Sequence, residues 1–162
     1  MKTNIARLPD WHDRLSSYFA QCAKKHFTWG EHDCALFAAS AVHAMTGVDF
    51  GEPFRGKYDD AAGAAKALRE YGAGTLQRTF TAALGKPKHI ARAKRGDIVL
   101  YKTSEIDRIG TMGVCAGRFS HFVGCLDDGF QLLPAHDDTA KPFEGLIPVP
   151  TSLCARAWTV AF

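Results

Sequence analysis

A cysteine stands third in His32-Asp33-Cys34 and opens the run Ala35-Leu36-Phe37-Ala38-Ala39-Ser40. A thiol at the first turn of a helix feels the positive end of the helix dipole, which favours the thiolate. The thiolate is the form that attacks a carbonyl in a cysteine hydrolase. Asp33 works against it, because a carboxylate beside the sulfur disfavours a second negative charge. These residue types leave two roles open for Cys34: a nucleophile, or a small apolar side chain packed under a helix start. The choice turns on a base.

His121 is the only histidine inside the expected core strands, and it is the candidate base if it projects near Cys34. His32, two residues before the cysteine, is a second candidate, with a loop or capping role as its alternative. His26 reads similarly. His43 lies far down the helix that Cys34 opens and reads as a core histidine, whereas His89 and His136 fall in loops. His136-Asp137-Asp138 is one short run without a partner cluster. The five cysteines, Cys22, Cys34, Cys115, Cys125 and Cys154, contain no CxxC pair. Neither a metal nor a cofactor is expected, and most of the thiols should be buried as small apolar residues. The aromatic residues Phe27, Trp29, Phe50, Phe54, Tyr58 and Trp158 can either line a groove for sugar or peptide or anchor loops onto the core.

The elements that must hold these residues follow from periodicity. Trp11, Leu15, Tyr18, Phe19 and Cys22 form one apolar stripe of a helix over residues 10–25, with Asp10 as its cap and Lys24 and Lys25 at its negative end. A second helix starts after Asp33 and ends near Thr46, with Gly47 as its stop. It has almost no polar face, so it should be the central buried helix. Asp59 or Asp60 caps a third helix to Tyr71, and Thr75 to Leu84 makes a fourth, with Ala62, Ala65, Leu68, Leu76, Phe80 and Leu84 as inner faces. Beyond residue 95 the period becomes that of strands: 96–102, 111–117, 119–126 and 129–134, with Asp127-Asp128-Gly129 as a hairpin turn, and a last strand in Cys154-Ala155-Arg156-Ala157-Trp158. Residues 135–150, with three prolines, read as an excursion. Helices followed by strands make an α+β fold, a buried helix packed on an antiparallel sheet.

The chain of 162 residues reads as one domain, with an N-terminal helix in 1–28, a helical half in 33–86 and a sheet half in 95–162. A net charge of +3 without a dense Lys/Arg run gives no case for nucleic acid. The longest apolar stretch, residues 34–45, is broken by Ser40 and His43, so no membrane span is expected; the N-terminus has no apolar core of signal-peptide length. A protein made and folded in a cytoplasm is the expectation.

Trp29-Gly30-Glu31-His32-Asp33-Cys34 before an alanine-rich helix, then Arg95-Gly96-Asp97-Ile98-Val99, then the glycine-centred Thr111-Met112-Gly113-Val114-Cys115-Ala116-Gly117, together resemble the NlpC-type papain-like cysteine peptidases, and most closely a small phage-tail branch of that superfamily. The resemblance covers roughly residues 29–158. It implies a papain-like fold with Cys34 at the nucleophile position. It also implies a virion component made in a bacterial host and built into the tail, with other tail-tip or baseplate-hub proteins as partners. The departure lies in the third motif. Where the resemblance places the catalytic histidine the chain has Thr111, followed by Met112, and neither accepts a proton from a thiol near neutral pH. Two functions stay open: a structural tail-tip or assembly protein with a degenerate site, which the missing histidine favours, and a peptidase or amidase that cuts peptidoglycan stem peptides with Cys34 as nucleophile. For the structural role, residues 135–150 and the loop from Phe50 to Tyr58 are the candidate contact regions.

Overall fold

The computed structural model describes residues 5–134 and 142–161 of the chain. Helix α2, Cys34–Thr46, is apolar on nearly every side, and such a helix is stable only where other elements cover it. Its start is set by Asp33, whose Oδ1 accepts the Leu36 N–H at 2.9 Å, and its end by Gly47. Helix α1, Trp11–Cys22, lies against it and buries Trp11, Leu15 and Cys22. Tyr18 adds a hydroxyl hydrogen bond to the Phe37 carbonyl at 3.0 Å. Asp10 does not cap α1, contrary to expectation. Its carboxylate accepts from Arg14 one turn along, at 2.8 Å, and that exposed pair takes the place of the cap. Helices α3, Ala61–Tyr71, and α4, Leu76–Leu84, start where Asp60 and Thr75 accept the N–H of Gly63 and Arg78.

Five strands form one antiparallel sheet: β1 Ile98–Tyr101, β2 Thr111–Cys115, β3 Phe119–Phe122, β4 Ile147–Pro150 and β5 Arg156–Trp158, in the order β4-β3-β2-β1-β5. Side-chain alternation divides the core in two. Ile98, Leu100, Met112, Val114 and Trp158 pack with Phe37, Ala41 and Met45 of α2, while Val99, Cys115, Phe122 and Ala157 form a second cluster with Val149 and Cys154. The middle strand β2 is therefore buried along its whole length. Phe122 lies over Gly113, where a Cβ would come within 2.5 Å of its ring.

The architecture is mixed α+β, as the order of periodicities predicts. Within the described residues α2 to α4 fall in 33–86 and every strand falls in 95–162. The expected strand over 129–134 reduces to a single Leu126–Leu132 bridge. Asp127 Oδ1 accepts the N–H groups of both Gly129 and Gln131, and Phe130 turns to φ 59°, which ends pairing there. Residues 119–126 are a strand only to Phe122. The edge strand beside β3 comes instead from the expected excursion: β4 buries Ile147 and Val149 and turns Pro148 and Pro150 outward on the edge, where no ladder N–H is needed.

Asp97, in the Arg95-Gly96-Asp97 turn before β1, ties the ends of the chain to this sheet. It is buried and accepts from Arg7 Nη2 at 3.1 Å, Lys88 Nζ at 2.7 Å and the Lys94 N–H at 2.8 Å. Arg7 also donates to the carbonyls of Val160 and Arg95.

Candidate functional site

The first residue of α2 is Cys34, buried to 5 % exposure. Three kinds of group act on its sulfur. Burial opposes the charged form most, Asp33 opposes it next, and the N–H groups of Met112 and Ala35 favour it less strongly. The balance pushes the thiol up to about 12, so it stays protonated at neutral pH. The dipole argument fails here because desolvation outweighs a half-charge at the helix tip.

Asp33 is held from every side. Oδ1 accepts from Leu36, and Oδ2 accepts from the Gly30 N–H at 3.0 Å and from the Tyr58 hydroxyl. The loop reaches this pose through Gly30, at φ 77°, whose missing side chain lets the Tyr58 carbonyl approach. Burial still raises the Asp33 carboxyl above its ordinary value, and burial together with Asp33 raises the Tyr58 phenol.

Neither candidate histidine joins Cys34. His121 on β3 pairs with Val114, which lies two residues, or ~7 Å, along β2 from Met112, the strand residue whose N–H acts on the Cys34 sulfur. Its ring packs edge-on against Phe19 at 4.8 Å, and burial and then Arg95 lower its pKa. His32 packs edge-on against Phe37 at 6.0 Å, and the charges that act on it are those of Lys25 and His26 at the end of α1. Burial first, then Lys25 and His26, lowers it to about 4. Its Nε2 and the Nδ1 of His121 lack a hydrogen-bond partner among the described residues.

Thr111, in the register of the missing base, shares the sheet face of Gly113 and Cys115, whereas Met112 faces α2. Its hydroxyl is buried and unpartnered among the described residues. His43 is exposed on the last turn of α2 rather than in the core, because α2 turns its one open stripe outward at that point. His89 accepts the Ala91 N–H and is exposed. His136, Asp137 and Asp138 lie outside the described residues.

The feature that residue types did not reveal is a cavity of about 520 Å³ between α2, the Phe50–Tyr58 segment, α3 and α4, with Cys34 and Asp33 in its lining. Four of the aromatic residues read as groove or anchor, Trp29, Phe50, Phe54 and Tyr58, line it. Phe27 packs on Trp29, and Trp158 sits in the core with its N–H on the Thr81 hydroxyl. The available signal was the alanine content of α2 and α3. Of the α3 alanines that line it, Ala61, Ala64 and Ala65, only Ala65 belongs to the expected inner face; Ala62 of that face is exposed, and the residue that α3 buries is Ala67.

Among the described residues no helix is long and apolar enough to cross a membrane. No curated protein and no solved structure matches the chain. One family model does match, over residues 6–160, and the chain therefore belongs to the family described as domain of unknown function (DUF6950).

Proposed function

We propose that this chain is a non-catalytic papain-like module that serves as a structural part of a phage or prophage tail, at the tip or baseplate hub, with its ancestral hydrolase site degenerate. The observation that carries the loss of catalysis is the surroundings of Cys34: burial and Asp33 push the thiol up to about 12, and no imidazole is among the groups that act on it most strongly. A general base has to come within hydrogen-bond reach of the proton it takes, and its loss typically costs a factor of about 10² to 10⁴. The tail assignment rests on the resemblance of the Asp33-Cys34, Arg95-Gly96-Asp97 and Gly113-centred motifs. An α+β fold with a buried helix on an antiparallel sheet supports it, since that is the layout the resemblance implies.

The peptidase reading keeps one point in its favour, the amides of Met112 and Ala35 beside the sulfur, where an oxyanion could be held. Purified particles separate the two. The structural reading expects the chain in tails at a fixed number of copies, and it expects particles carrying Cys34→Ser to assemble and infect as before. Particles that lack the chain would overturn the tail assignment. Peptidoglycan cleavage by the chain, abolished by Cys34→Ser, would overturn the loss of catalysis.

A further inference from the structure

The cavity beside Cys34 has a distribution of chemistry that selects its contents. Its walls are apolar, with Leu36, Phe50, Phe54, Leu68 and Phe80 prominent, and its volume of about 520 Å³ falls within the range of roughly 300–1,000 Å³ of small-molecule sites. The buried polar side chains of the wall, Asp33 and Thr79, are already used, while Gln77, Arg78 and Arg108 add to the polar part of the lining. Both Asp33 oxygens accept from Leu36, Gly30 and Tyr58. Thr79 Oγ1 donates to the Thr75 carbonyl and accepts from Ala73, while Thr75 Oγ1 accepts from Arg78. A peptide laid inside would bury its own N–H and C=O groups without partners, which is costly. An alkyl chain carries no such groups.

The charged groups of the lining differ in sign and in exposure. Asp33 is buried, and its oxygens are acceptors. The lining also includes Arg78, on the first turn of α4, and Arg108, on the loop between β1 and β2; both are exposed, and neither has an ion pair among the described residues. Ile109, half exposed, stands next to Arg108. An amphiphile with an anionic head would therefore enter tail first, its chain against the buried aromatic wall and its head toward the exposed guanidinium groups.

We propose that this cavity binds a fatty acid, with the alkyl chain inside and the carboxylate at Arg78 and Arg108. The inference stands on the cavity and not on the tail assignment, and it asks nothing of the Cys34 sulfur.

The test titrates the full chain with decanoate, dodecanoate and tetradecanoate below their aggregation concentrations, read by calorimetry, with dodecanol and dodecylammonium as matched probes. Each added pair of methylenes should tighten binding by about fifteenfold until the cavity is full (~0.8 kcal/mol per methylene). Replacing both Arg78→Gln and Arg108→Gln should weaken dodecanoate by about tenfold and leave dodecanol unchanged. Ala64→Trp, which fills the cavity, should abolish binding of every probe. Absence of dodecanoate and tetradecanoate binding to the native chain would overturn the proposal. So would dodecylammonium binding as tightly as dodecanoate, or an Arg78→Gln/Arg108→Gln chain, folded by circular dichroism, that loses nothing for the carboxylate. Full binding by a folded Ala64→Trp chain would place the fatty acid elsewhere and equally overturn it.

Discussion

Replacing Thr111 with valine should stabilise this protein. Thr111 is 1 % exposed, and its hydroxyl has no partner among the described residues. A buried hydroxyl without a hydrogen bond costs about 1–3 kcal/mol, whereas an apolar group of the same shape costs nothing of that kind. Valine keeps the β-branched shape that the strand accepts. The expected gain is about 1 kcal/mol, or roughly 2–4 °C in Tm for a chain of this size. Thr46 supplies the internal control. It is also buried, but its Oγ1 donates to the Val42 carbonyl at 2.6 Å and accepts from the Val48 N–H at 3.1 Å. Thr46→Val should therefore lose about 1–2 kcal/mol. Both values come from urea unfolding followed by circular dichroism, with the slope checked for constancy. A Thr111→Val chain that is less stable than the native one, or two variants that shift alike, would refute the reasoning and mean that the Thr111 hydroxyl is engaged.

Three further perturbations follow from the geometry. His32 is held neutral in the fold with a pKa of about 4 against an ordinary value near 6.5, so the unfolded chain binds more protons between those limits and stability falls as pH drops through that window. The native chain should lose up to about 2–3 kcal/mol more than His32→Phe between pH 7 and pH 4, measured as the difference of urea midpoints; equal slopes with pH would contradict it. Asp97→Ala leaves the buried Arg7 guanidinium without its carboxylate and should cost about 3–5 kcal/mol, seen as a lowered midpoint that salt does not restore. Gly113→Ala puts a Cβ 2.5 Å from the Phe122 ring and 2.6 Å from the His121 carbonyl, and the forced shift should cost about 1–3 kcal/mol; a Tm within one degree of native would show that β2 yields there.

The parts of the fold that were legible are those set by neighbours in sequence. Asp33 and Gly47 bound α2, Asp60 and Thr75 start α3 and α4, and the lack of a polar face puts α2 at the centre. What escaped depends on distant partners. Pro148 and Pro150 argue locally against a strand, yet Phe119 to Phe122 offers an edge on which they fit. Asp97 reads as one letter of a strand-opening motif, while its partners Arg7 and Lys88 lie elsewhere in the chain. His43 sits in an apolar run and is exposed all the same, because one stripe of α2 opens at its last turn. Cys34 was correctly placed at a helix start, but its ionisation could not be read from position, since burial is a property of the assembled core. The cavity is a statement about where side chains are absent, and alanines in α3 look the same in sequence whether they pack or leave room.

The claim on which the functional account rests is that Cys34 is a neutral, buried thiol. The direct measurement is its alkylation rate by iodoacetamide as a function of pH, followed by mass spectrometry of the peptide that contains it, with the less buried Cys125 as an internal comparison. The expected profile rises without a plateau through pH 10, and at pH 7.5 it lies at least about a thousandfold below a free cysteine, whose thiol titrates near 8.5. A plateau with a midpoint below 8.5 would show a thiolate poised for attack and would contradict the account.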